Sequence, residues 1–209
     1  MKTAKEHRIG IDVLPVMEAF PTTQGEGSFQ GSRSWFIRLA GCDVGCFWCD
    51  VKESWPADAH PEEAVDDIVA AAVNDDSDIC IITGGEPLMY PLEQLTARLQ
   101  EAGLRTHIET SGAHPLSGTW DWFVLSPKKF KAPLPECAAR ADELKIVVFN
   151  KADLKWAEKW AAEVSDDCKL FLQPEWDKRD EMTPLILDYI KNNPQWRLSF
   201  QVHKHLQIP

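Results

Sequence analysis

The sequence predicts an α/β fold with a parallel sheet, arranged either as a barrel or as an open sheet. Three observations lead to this prediction: short apolar runs rich in β-formers recur along the chain, helical patterns separate some of them, and unusual polar stretches follow them. Several runs are apolar almost throughout, as expected for strands that are buried on both faces. Strands that alternate with helices in this way form parallel sheets.

Seven segments are predicted as strands because each is short and rich in β-branched, aromatic or other apolar residues. They are residues 35–40, 79–83, 105–109, 122–125, 144–149, 169–173 and 197–202. Four helices are predicted between them. The first covers residues 61–73, with Pro61 in its first turn. The others have apolar residues repeating on one face, within residues 92–102, 154–164 and 182–189.

Nearly every unusual polar stretch follows a predicted strand. The stretches are TGGEP (83–87), ETSG (109–112), SPK (126–128), QPEW (173–176) and HKH (203–205), and Cys42 follows the first strand in the same way. In α/β folds, ligands bind at the carboxyl ends of the parallel strands. The sequence therefore predicts one active-site mouth that is assembled from many loops.

Composition limits the class of protein. The chain has 209 residues, which suits a single domain, and residues 1–8 are expected to form a loose tail. The formal net charge of −11 argues against a nucleic-acid binder, although a few local cations could still hold a small anion. No apolar run approaches the roughly 18 residues that span a membrane, and the N-terminus lacks the apolar stretch of a signal peptide. A cytoplasmic protein with reduced thiols is expected.

Three cysteines, Cys42, Cys46 and Cys49, have the spacing C-x3-C-x2-C. Thiolates bind zinc and iron–sulfur clusters. A structural zinc ion needs four ligands, and no second close pair of Cys or His completes such a set. In a 4Fe–4S cluster held by three thiolates, one iron lacks a protein ligand and can bind a substrate or cofactor.

The other three cysteines are expected to be buried or incidental thiols and not ligands. Cys80 lies within an apolar strand, and Cys137 and Cys168 are isolated in the sequence.

The cysteine spacing, with Trp48 before the last cysteine, resembles the cluster motif of the radical S-adenosylmethionine (SAM) superfamily. The stretch TGGEP resembles the superfamily motif that meets the amino group of SAM. The resemblance implies that the open iron binds the amino and carboxylate groups of SAM. It also implies that one electron from the reduced cluster then cleaves SAM to a 5′-deoxyadenosyl radical.

Further motifs resemble the 7-carboxy-7-deazaguanine synthase family. They occur in the family order across residues 16–209: QGEG, FIRLAGC, WCD, TGGEP, ETSG, SPK, ELK, LQP and a C-terminal HK. The family implies an incomplete, TIM-like β/α barrel of the radical SAM type. It also implies a ring contraction of 6-carboxy-5,6,7,8-tetrahydropterin to 7-carboxy-7-deazaguanine with loss of ammonia, in queuosine or deazapurine biosynthesis.

Two groups of residues suit the substrate by their own chemistry. Arg38 could hold a carboxylate with two parallel hydrogen bonds. The amide of Gln24, the backbone at Gly25 and the carboxylate of Glu26 suit the amino and ring N–H groups of a pterin.

The resemblance assigns roles to residues in this sequence. The cluster ligands are Cys42, Cys46 and Cys49. The residues expected to bind SAM are Trp48, Cys49, Asp50, Gly84, Gly85, Glu86, Ser111, Ser126, Pro127, Lys128, Gln173, Pro174, Glu175 and Trp176. The residues expected to bind substrate are Thr23, Gln24, Gly25, Glu26, Arg38, Thr83, His203 and Pro209. The expected catalytic residues are Glu26, Arg38 and Glu86.

One position departs from the family pattern. The family often has Thr or Ser after W-C-D, and its hydroxyl binds Mg²⁺ beside the substrate carboxylate, whereas this chain has Val51. Because Mg²⁺ prefers oxygen ligands, three options stay open: no magnesium, magnesium held by substrate and water, or a neighbouring group in its place. The neighbouring candidates are Asp50 and Glu53 as ligands and Lys52 as a replacing charge.

The resemblance also implies partners. Electrons are expected from a flavodoxin or ferredoxin, because the sequence shows no second cluster motif, and a homodimer is expected. Two alternatives stay open at this point: an activase that makes a glycyl radical on a partner protein, and a non-enzymatic iron–sulfur module for electron transfer.

Overall fold

Nine strands form one sheet in the computed structural model, which describes residues 12–209. The strands are β1 (Val13–Thr23), β2 (Arg33–Leu39), β3 (Glu62–Ala64), β4 (Ile79–Gly84), β5 (Arg105–Thr110), β6 (Trp122–Leu125), β7 (Glu143–Val148), β8 (Lys169–Pro174) and β9 (Trp196–Leu198). The α-helices are α1 (Val65–Val73), α2 (Glu93–Glu101), α3 (Pro135–Arg140), α4 (Asp153–Ala161), α5 (Arg179–Asn192) and α6 (Val202–Leu206). The tail predicted for residues 1–8 lies outside the described residues.

The strand order is β3-β1-β2-β4-β5-β6-β7-β8-β9. Strands β2 and β4 to β9 run parallel to one another, whereas β1 is antiparallel to both β2 and β3. Within residues 12–209, β3 and β9 each have one free edge, so the sheet does not close into a full barrel. The α/β class and the incomplete barrel predicted from the sequence are both confirmed.

The sheet is buried on both faces at its centre. Ile81 and Ile82 are consecutive in β4 and point to opposite faces, yet neither is exposed to solvent. Helix α2 buries Leu95 and Leu99, which lie four residues apart on one face of the helix. The covered faces explain why the central strands have nearly continuous apolar sequences.

Strand register brings the carboxyl ends of the parallel strands to the same level. Arg38 of β2 lies opposite Thr83 of β4, and Val148 of β7 lies opposite Pro174 of β8. The loops that follow these strands therefore start along one rim of the sheet.

None of the helices within residues 12–209 has the length and apolar character needed to span a membrane.

All seven predicted strands are present, but β1, β3, α3 and α6 were not predicted. Strand β1 contains Pro15 and Pro21, which argue against a strand because proline cannot donate to a sheet. Among the described residues, strand β3 pairs only with residues 13–15 of β1, so Pro21 has no strand partner there on that side. Because β3 does not extend to Pro21, and because the register shifts between Val16 and Glu18, this proline-containing strand can join the sheet.

Two predicted boundaries were wrong. The helix predicted for residues 61–73 begins only at Val65, because Glu62–Ala64 pairs with β1 as strand β3. The strand predicted for residues 197–202 ends at Leu198. The chain then turns so that the Val202 N–H donates to the carbonyl of Gly25, 3.0 Å away, and α6 begins at that point.

Candidate active site

A cavity of about 400 Å³ opens at the carboxyl ends of the strands. Its walls include residues from β1, β2, β4, β5, β7 and β8, from the loops that follow the strands, and from α6. The cysteine loop, the glycines after β4 and the polar QGEG segment all line this one cavity. The single mouth expected from the sequence is therefore present in the structure.

The cysteine loop follows β2 and is fixed by backbone hydrogen bonds. The Cys42 N–H donates to the carbonyl of Trp55 at 3.2 Å, and the Cys49 N–H donates to the carbonyl of Cys46 at 3.0 Å. Cys42, Cys46 and Cys49 are free thiols that line the cavity. The loop thus presents three unpaired sulfur atoms to one space.

The surroundings of these thiols are apolar. Val44, within the loop, and Ala113 form a buried apolar cluster with Cys46, against which Cys42 and Cys49 pack. Burial raises the pKa of the Cys46 thiol to about 11, although the charge of Lys128 acts in the opposite direction. Thiolates in such a site need additional positive charge, which iron ions would supply.

The residues fit a 4Fe–4S cluster better than a single metal ion. Residues 12–209 contain no group of three His, Cys, Asp or Glu side chains arranged to hold one ion. In a cubane cluster each thiolate binds a different iron, so the three sulfur atoms need not converge on one point. The other cysteines, Cys80, Cys137 and Cys168, are buried and do not line the cavity, as predicted.

Two glycines connect the cysteine loop to the end of β4. The Gly85 N–H donates to the carbonyl of Leu39 at 3.0 Å, and the Glu86 N–H donates to the carbonyl of Gly41 at 2.8 Å. A Cβ atom at Gly84 would collide with the Leu39 backbone, and one at Gly85 would collide with Gly41 and with Cys42. Only glycine permits this approach, and Gly84 also has a positive φ of 144°.

Glu86 is directed into the protein and does not line the cavity. One carboxylate oxygen accepts from the Leu88 N–H at 3.0 Å and from the Thr110 hydroxyl at 2.5 Å. The other accepts from the Ser111 N–H at 2.8 Å and from its hydroxyl at 2.5 Å. The sequence led us to expect direct contact with the SAM amino group, whereas Glu86 is linked to the cavity through Thr110 and Ser111, which line it.

A buried lysine joins two carboxylates at the cavity wall. The Lys145 Nζ donates to Glu26 and, at 2.5 Å, to Glu109. The Gln24 side chain donates to Glu109 at 3.0 Å and accepts from the Glu26 N–H at 3.0 Å. Burial would raise the pKa of Glu26, but the charge and hydrogen bond of Lys145 outweigh it and hold that pKa below its usual range. Glu26 is thus kept ionised, and its carboxylate and that of Glu109 stand where a polar ligand could meet them.

Arg38 projects from β2 and lines the cavity. Its Nε donates to Glu18 at 2.6 Å, and its side chain is one-fifth exposed. The remaining guanidinium N–H groups can donate hydrogen bonds to a bound carboxylate. Thr83, its neighbour across the sheet, also lines the cavity, as do Thr23 and Gly25.

The last residues return to the same cavity. The Thr22 hydroxyl donates to the backbone oxygen of Pro209 at 2.8 Å, and both residues line the cavity. His203 packs so closely on Gly25 that a Cβ there would overlap its ring. Burial lowers the pKa of His203, so its imidazole is favoured in the neutral form.

The segments after β6 and β8 complete the wall. The Lys128 Nζ donates to the Ser126 carbonyl at 2.8 Å and lies 5.8 Å from the centre of the Trp48 ring. Gln173 accepts from the Ser199 hydroxyl at 2.8 Å, and Glu175 accepts from the N–H groups of residues 177 and 178. Pro174, Trp176 and Asp50 also line the cavity.

Most of the residues expected from the sequence therefore share one cavity. Glu86 and Pro127 do not line it. The sequence prediction missed Glu109, Lys145, Thr110 and Lys204, which do. Glu109 and Lys145 lie within the ETSG and ELK motifs, and a charged lysine within an apolar strand was a signal that could have identified Lys145.

Comparisons with known proteins agree with this geometry. A sequence model of the radical SAM superfamily matches residues 36–123. A 7-carboxy-7-deazaguanine synthase of Flavobacterium psychrophilum is 52% identical over 208 residues, which cover 98% of this chain and 99% of that protein. One from Synechocystis is 46% identical over 93% of each chain. The crystal structure of QueE from Escherichia coli aligns with a TM-score of 0.82 at 31% identity, covering 96% of this chain and 99% of that one.

Proposed function

The chain belongs to the 7-carboxy-7-deazaguanine synthase family of radical SAM enzymes, and we propose that the cavity at the carboxyl ends of the strands holds both SAM and the pterin substrate. The enzyme catalyses the SAM-dependent ring contraction of 6-carboxy-5,6,7,8-tetrahydropterin to 7-carboxy-7-deazaguanine, with loss of ammonia. This family membership sets aside the activase and the electron-transfer module. The observation that carries the proposal is that the three free thiols and the Glu26–Lys145–Glu109 group line the same cavity.

We assign the cluster to Cys42, Cys46 and Cys49, and SAM to the wall beside them. The backbone of Gly84 and Gly85 packs directly against residues 39–42 and lines the cavity there, so its polar groups can meet the amino group of SAM beside the cysteine loop. When bound, the cluster and SAM supply the radical chemistry. The chain's own contribution is to hold the substrate in position beside them and to exclude water.

We assign the pterin ring to the polar group around Lys145. The carboxylates of Glu26 and Glu109 can accept hydrogen bonds from the amino and ring N–H groups of a pterin. Lys145 pairs with both carboxylates, and Gln24 adds an amide at the same wall. Arg38 is proposed to bind the substrate carboxylate, with Thr83, Thr23, His203 and Pro209 as further contacts.

Glu86 is proposed to act as a positioning residue. Its four accepted hydrogen bonds include three from Thr110 and Ser111, and these two side chains line the cavity. Replacing Glu86 is therefore expected to loosen the wall next to SAM without removing a direct ligand.

We propose that residues 1–209 form a single radical SAM domain that acts in the cytoplasm as a homodimer. The single sheet supports one domain, and the free edges of β3 and β9 are surfaces that a second chain could cover. The electron is proposed to come from a flavodoxin or ferredoxin, because the remaining cysteines in the described residues are buried and separate. Light scattering during gel filtration would measure the oligomeric state.

The test is an anaerobic turnover assay. Protein reconstituted with iron and sulfide is reduced and mixed with SAM and 6-carboxytetrahydropterin, and the product is identified by mass spectrometry. We expect 7-carboxy-7-deazaguanine together with 5′-deoxyadenosine. Cleavage of SAM without this product would overturn the assignment of the substrate. Absence of SAM cleavage by protein with a verified cluster would overturn the assignment of the cavity.

A further inference from the structure

An ion pair occupies the cavity wall next to position 51. The Lys204 Nζ of α6 donates to Asp50 Oδ2, and the Gln201 side chain donates to the same oxygen at 3.3 Å. The Lys204 Nζ also lies 5.1 Å from the centre of the Trp176 ring. All four side chains line the cavity, together with Val51. A fixed positive charge is therefore bound to the residue just before the position at which the family often carries a hydroxyl.

These residues do not fit a magnesium ion. Mg²⁺ requires oxygen ligands in a near-octahedral arrangement, and the Val51 side chain has none to offer. The nearest carboxylate in the sequence, on Asp50, already accepts from Lys204 and Gln201. Glu53 does not line the cavity, so its carboxylate does not replace the missing oxygen ligand.

We propose that the Lys204 ammonium supplies, in addition to Arg38, a second positive charge that binds the substrate carboxylate, so that this enzyme needs no divalent cation. The inference rests on the proposed function, since the carboxylate in question belongs to 6-carboxytetrahydropterin. A lysine ammonium has three N–H donors and no acceptor. Among the described residues Lys204 makes one such hydrogen bond, to Asp50, which leaves donors for an anion in the cavity.

The surroundings of Lys204 hold its charge in one place. Asp50 and Gln201 fix one side, and the face of the Trp176 ring lies on another. The Lys204 side chain is only 23% exposed, which limits its freedom. Lys52, the charge suggested by the sequence, lies 6.0 Å from the Trp55 ring and does not line the cavity.

The test compares wild-type holoenzyme with Lys204→Met, Lys204→Arg, Val51→Thr and the double variant Val51→Thr/Lys204→Met. Turnover and the KM for 6-carboxytetrahydropterin are measured in EDTA and in MgCl₂. Lys52→Met is the matched control, since it removes a nearby charge that does not line the cavity. Iron content and SAM cleavage without substrate are measured for each protein, to verify that the cluster is intact.

The wild type and Lys52→Met are expected to turn over in EDTA at within about twofold of their rates in magnesium. Lys204→Met is expected to raise the KM by about tenfold, the loss of one charge-assisted hydrogen bond, with no rescue by magnesium. Lys204→Arg should retain most of the affinity. The double variant should recover with MgCl₂ but not in EDTA, because the introduced threonine hydroxyl supplies the oxygen ligand that Val51 lacks.

Two results would overturn the proposal: loss of wild-type turnover in EDTA, or an unchanged KM in Lys204→Met. Failure of the proposed function is distinguishable from both. In that case the wild type would cleave SAM but form no 7-carboxy-7-deazaguanine in either buffer, and the proposal would fall with it.

Discussion

The cysteine loop and the Glu26–Lys145–Glu109 group line the same cavity but are built in different ways. The loop places three thiols within eight consecutive residues, and it begins at the end of one strand, β2. The second group collects side chains from residues that lie as many as 119 positions apart. The arrangement of the cysteines depends mainly on one short segment. The Glu26–Lys145–Glu109 group forms only when β1, β5 and β7 lie in one sheet. Mutations in the two regions should therefore fail differently.

The largest effect is expected in the cysteine loop. Cys46→Ala should abolish turnover while leaving the free energy of unfolding of the cluster-free protein nearly unchanged, because the loop packs in a small apolar cluster separate from the main core. Cys168→Ala is the matched control, since Cys168 is also buried but lies away from the cavity. Iron content and product formation are measured for both. Full activity in Cys46→Ala would remove the contrast between the two regions.

Lys145→Met should damage stability as well as activity. It leaves Glu26 and Glu109 without their shared cation, and breaking a buried ion pair costs about 3–5 kcal/mol. Denaturant unfolding of the cluster-free protein measures this loss, and Lys155→Met, at an exposed lysine of α4, is the control. If Lys145→Met unfolds like the control, the group does not stabilise the fold. Adding Glu26→Gln and Glu109→Gln to Lys145→Met should restore part of the stability.

The same group predicts a dependence of stability on pH. The folded pKa of Glu26 lies below its ordinary value of 4.5, so the stability it contributes is present above 4.5 and is lost as the pH falls through the folded pKa. The free energy of unfolding should therefore fall more steeply below pH 4.5 in the wild type than in Glu26→Gln. Parallel curves would show that Glu26 carries no such linkage. The effect should be smaller than that of Lys145→Met.

The smallest effect is expected where the end of the sequence meets β1. Thr22→Val removes the hydroxyl that donates to Pro209 and preserves the shape of the side chain. A single neutral hydrogen bond contributes about 1 kcal/mol, so the KM for the pterin should rise about fivefold with little change in kcat. Thr119→Val, at an exposed threonine outside the cavity, is the control. An equal KM in both variants would leave Pro209 without a binding role.

The difference between the two regions also explains what the sequence could predict. The cysteine spacing and the glycines after β4 are local signals, and the parallel register of buried strands places them together. Lys145 gave a weaker signal, because a lysine in an apolar strand does not reveal which carboxylates it meets. The HKH stretch placed Lys204 at the mouth, but the sequence did not reveal its partner Asp50, which is 154 residues away. Strand β1 was missed because its pairing also depends on a segment far away in the sequence. Strand β3 pairs with residues 13–15 of β1 and does not extend to Pro21, so Pro21 needs no N–H on that side.

The direction of Glu86 shows a further limit. Its motif predicts a carboxylate near SAM, and the chain does bring it close to Ser111. Which way the side chain points depends on donors supplied by β5 and the turn after it, and these are invisible in the motif itself. The motif predicts the place of Glu86 in the chain, at the end of β4, while the direction of its side chain depends on the neighbouring strand.

The hydrogen bonds between the backbone of residues 39–41 and residues 85–86 have a consequence for how such enzymes can diverge. One residue added between Leu39 and Gly41 would change the spacing of the two carbonyls, so that both bonds could no longer form and the thiols would shift relative to Gly85. Residues added at 74–78, between α1 and the opposite end of β4, would leave both bonds in place. Length variation among descendants of this chain should therefore collect at the amino ends of the strands, where it does not disturb the chemistry.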